Sequence, residues 1–246
     1  MPVHAARTRS IEAISPTMWR ISLEGEGLAG FHASGHPDER LRLYLPPPGN
    51  PGEHIVRAAS TAESARPERD LPLARRSYTV RRWDPRRHRL DIDIAMHDVG
   101  AVVDWLRQAR PGHWIGVSDA VGWYAPPDDA ARILIVSDAT GLPAVHRITD
   151  RLQHTATATD VVLSIPHADD AADLVTAPNI TYTLNDAPPD ELAALAITRS
   201  RPDYLWSATE AATCSSLKQH ALSVWRLRRE QIEARAYWRA GRVRSD

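Results

Sequence analysis

The chain has 246 residues, a formal net charge of −1, 43% hydrophobic and 25% charged residues. That length accommodates one large domain or two of ordinary size, the composition is that of a soluble folded protein, and the near-neutral charge excludes bulk nucleic-acid binding. A single cysteine, Cys214, excludes an internal disulfide framework and any multi-cysteine zinc or iron–sulfur site; with no signal-like opening and no run of about 18 apolar residues, the expectation is a cytoplasmic protein without a membrane span, a metal site or a nucleic-acid partner.

The first half reads as strands. Apolar and polar residues alternate in Met18 to Leu23, Leu41 to Leu45, Ser77 to Trp83 and Leu90 to Met96, the period of a half-buried strand. Turn signals stand between them at Pro46-Pro47-Pro48-Gly49, Asp84-Pro85 and Pro111-Gly112. Short strands so spaced predict a small antiparallel barrel. The charged stretch from about Glu53 to Arg75 reads as a long surface loop, and Ala101 to Gln108 as a short helix behind Gly100.

The pattern changes near Pro126-Pro127, which divides the chain into expected domains 1–127 and 128–246. Ile133 to Val136 is a continuous apolar run, as in a buried parallel strand. A helix is predicted from Leu142 to about Leu152, then strands at Val161 to Ile165 and Ile180 to Leu184, a helix from Asp190 to Ile197, and a strand at Tyr204 to Ser207. A long helix from about Glu210 and a last strand near Ala234 to Trp238 complete the series. Strands alternating with helices predict a parallel sheet covered on both faces, with a ligand site at the carboxyl ends of its strands.

Three segments stand out chemically. Arg76-Ser77-Tyr78-Thr79 opens a strand; an arginine there can pair with phosphate as a fixed fork, and a tyrosine two residues on shares its face. His97-Asp98-Val99-Gly100-Ala101 leads into a helix, where a glycine lets backbone N–H groups approach a pyrophosphate. Ser137-Asp138-Ala139-Thr140-Gly141-Leu142-Pro143 follows the apolar strand, where a doubly wound domain binds nucleotide phosphates. Taken singly, each also reads as an ordinary strand entrance or turn.

Read together and in order, these segments resemble the siderophore-interacting proteins, a branch of the ferredoxin-reductase-like flavoproteins. That family carries R-x-Y-[ST], then H-x-x-x-G-P-A-S-x-W, G-D-E-T-A-L-P-A, W-x-A-G-E and Y-W-R-x-G. The counterparts here are Arg76 to Thr79, His97 through Gly100 to Trp105, Ser137 to Ala144, Trp206 to Glu210, and Tyr237-Trp238-Arg239-Ala240-Gly241. The resemblance implies a Greek-key β-barrel flavin domain followed by a parallel-sheet α/β domain of nucleotide-binding type. It implies FAD held by Arg76, Ser77, Tyr78 and Thr79, with His97, Gly100 and Ala101 along the diphosphate or adenosine end. Ser137, Asp138, Thr140 and Pro143 would serve the dinucleotide end of an NADH or NADPH donor, for which a ferredoxin is the alternative. The implied activity is reduction of a ferric siderophore or other small anionic substrate, with Arg42, Lys218, Arg239 and Arg242 as the basic residues that meet it. The rival readings are a flavin-dependent tailoring reductase of secondary metabolism and a cofactor-free homologue with a binding role.

The departures from the family pattern set further expectations. G-P-A-S has become Gly100-Ala101-Val102-Val103, and G-D-E-T-A-L-P has become Ser137-Asp138-Ala139-Thr140-Gly141-Leu142-Pro143. Asp119-Ala120 replaces a G-P, and Thr209 replaces a glycine. Asp119 would repel a diphosphate that it faced. Side chains added at Ser137 and Thr209 predict a weakened dinucleotide site and slow reduction by nicotinamide.

Overall fold

The computed structural model describes residues 2–61, 73–96 and 100–241. They divide into two compact units, one ending at Gly122 and the other beginning at Trp123. The expected junction, Pro126-Pro127, lies within the second unit, in the stretch that leads into its first strand.

The first unit is a closed six-stranded barrel of antiparallel pairs in the order β1-β2-β5-β4-β3-β6. Its strands are β1 (Val3–Ala13), β2 (Met18–Glu24), β3 (Arg40–Leu45), β4 (Ala74–Asp84), β5 (Arg89–Ala95) and β6 (Trp114–Ser118). Alternation puts Ile21, Leu23, Leu41, Leu43, Val80, Leu90, Ile92 and Val117 inside. One end of that core is completed by Val102, Trp105 and Leu106 of helix α2 (Ala101–Leu106). Two strands were not legible in the sequence. The inward positions of β1 are filled by Ala6 and Thr8, too small or too polar to show a hydrophobic period, and β6 is only five residues long.

The expected loop from Glu53 to Arg75 needs correction at its start. Glu53–Thr61 is a helix, α1. Its Val56 and Ala59 are buried against Ala5 and Tyr44 on the outer face of the barrel. The charges that suggested a loop lie on the helix's exposed side, Glu53 and Arg57 forming an i,i+4 pair. The loop's expected end needs correction too, since Ala74 and Arg75 already belong to a strand; residues 62–72 lie outside the described residues.

The second unit is a five-stranded parallel sheet in the order β11-β10-β7-β8-β9. The strands are β7 (Arg132–Asp138), β8 (Ala158–Ser164), β9 (Ile180–Asn185), β10 (Tyr204–Glu210) and β11 (Ile232–Trp238). Helices α3 (Leu142–Leu152), α4 (Pro189–Ile197) and α5 (Ala211–Ser223) connect them. From β7 the chain winds outward through β8 and β9, then returns to place β10 on the other side of β7. The carboxyl ends of β7 and β10 therefore form the topological switch point, where open α/β sheets bind ligands. All seven residues of β10 are buried. Among the described residues no helix is long and apolar enough to cross a membrane.

Candidate functional site

On β4, Arg76 and Tyr78 stand directly across from Leu43 and Leu41, both buried, while Ser77 stands across from exposed Arg42. The strand thus sorts the predicted flavin residues by face. Arg76 and Tyr78 share one side, as alternation requires; Ser77 lies on the other side beside Arg42, so only its backbone belongs with them. Thr79 is buried. Burial pushes the Tyr78 phenol well above its ordinary value, against the pull of the Arg76 charge, so the ring stays neutral. Gly100 precedes α2 with φ 143°, a conformation that side chains rarely adopt, and Ala101 opens the helix. Val103, where the family has a hydroxyl, is buried. His97 lies outside the described residues.

Asp119 does not stand as a bare charge. Its carboxylate accepts a 2.7 Å hydrogen bond from His4 Nε2 and a 2.9 Å bond from the His32 backbone N–H. The substitution that threatened a diphosphate instead ties β1 to the segment that follows β6.

At the switch point three distant motifs converge. The Asp138 carboxylate accepts bonds from Thr140 N (2.9 Å), Thr140 Oγ1 (2.5 Å) and the Trp238 indole N–H (2.8 Å). Burial pushes its pKa up despite these donors. Glu210, at the end of β10, accepts from the backbone N–H groups of Ala240 (3.1 Å) and Ala212. Burial opposes its charge, but these N–H groups, with those of Thr213 and Ala211, outweigh it and hold the carboxyl below its ordinary value. The ends of β7, β10 and β11 are thereby laced together by two carboxylates. Neither Glu210 nor Trp238 was assigned a role from sequence; both stand in the quoted motifs, but the pairing of Trp238 with Asp138 spans 100 residues.

Ser137, expected at the dinucleotide end, turns inward. It is fully buried, and its hydroxyl donates to the carbonyl oxygens of Ala208 (2.9 Å) and Asp138 (3.0 Å). Its bulk is matched by Gly141, where a Cβ would lie 2.2 Å from Ser137 Oγ and 2.9 Å from Ala208 O. The family pattern has glycine then alanine at these two places; this chain has serine then glycine, an exchange of volume within one turn. Thr209 is likewise buried, its hydroxyl 3.3 Å from Cys214 Sγ. Burial pushes the Cys214 thiol up, leaving it a packed, unreactive group. Both added side chains are buried beneath the carboxyl ends of β7 and β10. Pro143 sits buried in the first turn of α3.

The predicted basic residues stand on separate elements. Arg42 is exposed on β3, Lys218 on α5 and Arg239 just after β11. Arg242 lies outside the described residues. Among those residues no cluster of His, Cys, Asp and Glu is arranged to hold a metal ion.

A closed antiparallel barrel with an arginine–tyrosine strand, followed by a parallel sheet with a switch-point crevice, defines the ferredoxin-reductase-like flavoproteins. A ferredoxin NADP+ reductase from Neisseria gonorrhoeae solved with FAD and NADP shares this fold at a TM-score of 0.67 and 11% identity, over 96% of this chain and 99% of that one. Residues 7–123 match the siderophore-interacting FAD-binding domain and residues 130–241 the siderophore-interacting protein domain. The chain belongs to the siderophore-interacting protein family and is an oxidoreductase. It is 30% identical to the NADPH-dependent ferric-chelate reductase of Escherichia coli over 236 residues, 94% of this chain and 90% of that protein. A siderophore utilization protein from T. fusca superposes with a TM-score of 0.82 at 25% identity, covering 100% of this chain and 97% of the other.

The residues present fit FAD. Arg76 would offer a guanidinium to phosphate, the backbone at Gly100 and Ala101 would offer N–H donors, and Tyr78 would offer a neutral ring.

Proposed function

We propose that this oxidoreductase reduces Fe(III) held in an anionic chelate, a ferric siderophore, in the cytoplasm, drawing electrons from a reduced nicotinamide and releasing iron as Fe(II). The observation that carries the reading is the similarity, along 94% of the chain, to a ferric-chelate reductase, together with a barrel strand whose donors suit FAD. The chemistry FAD supplies when bound is conversion of a two-electron donor into single electrons for Fe(III). The chain's own residues bind and orient. Arg76 neutralises phosphate charge, Tyr78 offers an uncharged ring, and Asp138, Thr140 and Trp238 fix the shape of the donor crevice. Reduction of a ferric chelate by the FAD-loaded protein, with Fe(II) trapped by a colorimetric chelator under anaerobic conditions, tests the reading; no Fe(II) above the protein-free rate defeats it.

For the electron donor, the turn after β8 carries His167-Ala168-Asp169-Asp170 and no arginine or lysine before β9. A 2′-phosphate finds no cation there, so NADH reduces the flavin faster than NADPH, by roughly ten-fold if one charged contact is missing. Anaerobic stopped-flow at the flavin absorption band measures this. Equal or faster reduction by NADPH would show that the phosphate is met elsewhere, and reduction only by a ferredoxin would exclude nicotinamide.

Substrate capture is assigned to the exposed cations Arg42, Lys218 and Arg239, and to Arg242. Replacing Arg42 and Lys218 together by alanine raises the apparent KM for an anionic ferric chelate by roughly several-fold and changes kcat less, because such groups attract ground and transition states alike. The effect shrinks at high salt. Unchanged kinetics in the double variant would remove both residues from the site.

A further inference from the structure

The last described residues of the chain come back over the switch point. Strands β10 and β11 pair residue for residue from Leu205 opposite Ile232 to Thr209 opposite Ala236; there the register slips, Tyr237 is passed over, and Glu210 stands opposite Trp238. An extra residue of this kind bends its strand and re-aims the side chains beyond it. Trp238 consequently reaches across the end of β10 to β7, where its indole N–H donates to the Asp138 carboxylate at 2.8 Å. Two residues on, the Ala240 N–H donates to Glu210 at 3.1 Å. Residues 238–240 are thereby fastened to the two carboxylates at the carboxyl ends of β7 and β10, the strands that define the crevice. Among the described residues little else holds them. Trp238 is 39% exposed, Arg239 and Ala240 are exposed, and Gly241 turns with φ 72° and nothing within 4 Å of where a Cβ would stand. Segments with few buried contacts open far more readily than a core does.

We propose that residues 238–240 form a strap across the donor crevice. Closed, the strap occupies both carboxylate acceptors and lays the Trp238 indole over the end of β10; it swings off Asp138 when a reduced nicotinamide enters. This role rests on a nicotinamide being the electron donor. Because indole and dinucleotide exclude one another, donor affinity is reduced by the fraction of molecules whose strap is closed, and loosening the strap tightens donor binding. A fixed wall of the crevice has the opposite sign: its loss weakens binding.

Trp238→Phe keeps a ring and deletes the N–H donor. The first measurement is backbone hydrogen exchange by NMR on the protein as purified, with or without flavin. Loss of one bond to a charged acceptor speeds exchange at the Ala240 amide roughly ten-fold, while the protected amides of the ladder between β10 and β11 exchange as in the wild type. Unchanged exchange at Ala240, or faster exchange throughout the ladder, overturns the strap. The second measurement is steady-state reduction of the FAD-loaded protein by NADH. The KM for NADH falls roughly several-fold and kcat changes less; a raised KM makes Trp238 a fixed wall and overturns the strap. Ala240→Pro, which deletes the other N–H, gives the same KM reading if Trp238→Phe does not fold. A flavin that no nicotinamide reduces defeats the donor reading and the strap's role with it, whereas NADH turnover with a raised KM or unchanged exchange defeats the strap alone.

Discussion

Arg76→Ala lowers FAD affinity by roughly ten- to a hundred-fold. Loss of one hydrogen-bonded contact to a charged group costs about 1.5–3 kcal/mol, and Arg76 is the cation that the flavin strand offers on the face it shares with Tyr78. The strand itself survives, because its backbone pairing with β3 runs from Ala74 to Thr79 irrespective of that side chain. Arg75→Ala is the control. Arg75 stands across from Tyr44, on the opposite face of the sheet, and its loss leaves affinity near that of the wild type. Quenching of flavin fluorescence on titration with FAD measures both. Equal affinities for the two variants would remove Arg76 from the phosphate site, and absence of quenching in the wild type would exclude FAD altogether.

Gly141→Ala destabilises the second unit, and Ser137→Gly partly restores it. The new methyl would meet Ser137 Oγ at 2.2 Å and the Cβ and O of Ala208 at 2.9 Å, closer than packed atoms approach. Overpacking of this kind costs about 1–3 kcal/mol, on the order of 2–4 °C in Tm for each kcal/mol. Ser137→Gly removes the hydroxyl that occupies the space, so the double variant is more stable than Gly141→Ala alone. Thermal denaturation of the four proteins in a double-mutant cycle gives the coupling. A wild-type Tm in Gly141→Ala would show that the turn relaxes at no cost. Strict additivity would show that the two positions do not share volume.

The sequence was most legible where one physical signal dominated. The run Ile133 to Val136 lies within β7, and the apolar period from Leu142 to Leu152 matches α3 at both ends. The barrel was readable from four alternating strands, but β1 was hidden because its inward residues are small or polar. Helix α1 was hidden because charge on an exposed face imitates a loop. At the site, the motifs showed which residue types were present but not which way they pointed. The exchange of volume between Ser137 and Gly141 looked from sequence like a lost glycine. Asp119 looked like a repulsive charge until His4, 115 residues away, was found beside it.

Closure of the barrel has a consequence for synthesis. Strand β1 pairs with β2 on one side and with β6 on the other, Val3 standing opposite Ser118. At about 5–20 residues per second, the second partner leaves the ribosome on the order of ten seconds after the first strand does. Throughout that interval one edge of β1 is open, and open edges recruit foreign strands. Arg7 and Arg9 project from the exposed side of β1. Like charges on two such edges repel, which disfavours the pairing of one open β1 edge with another.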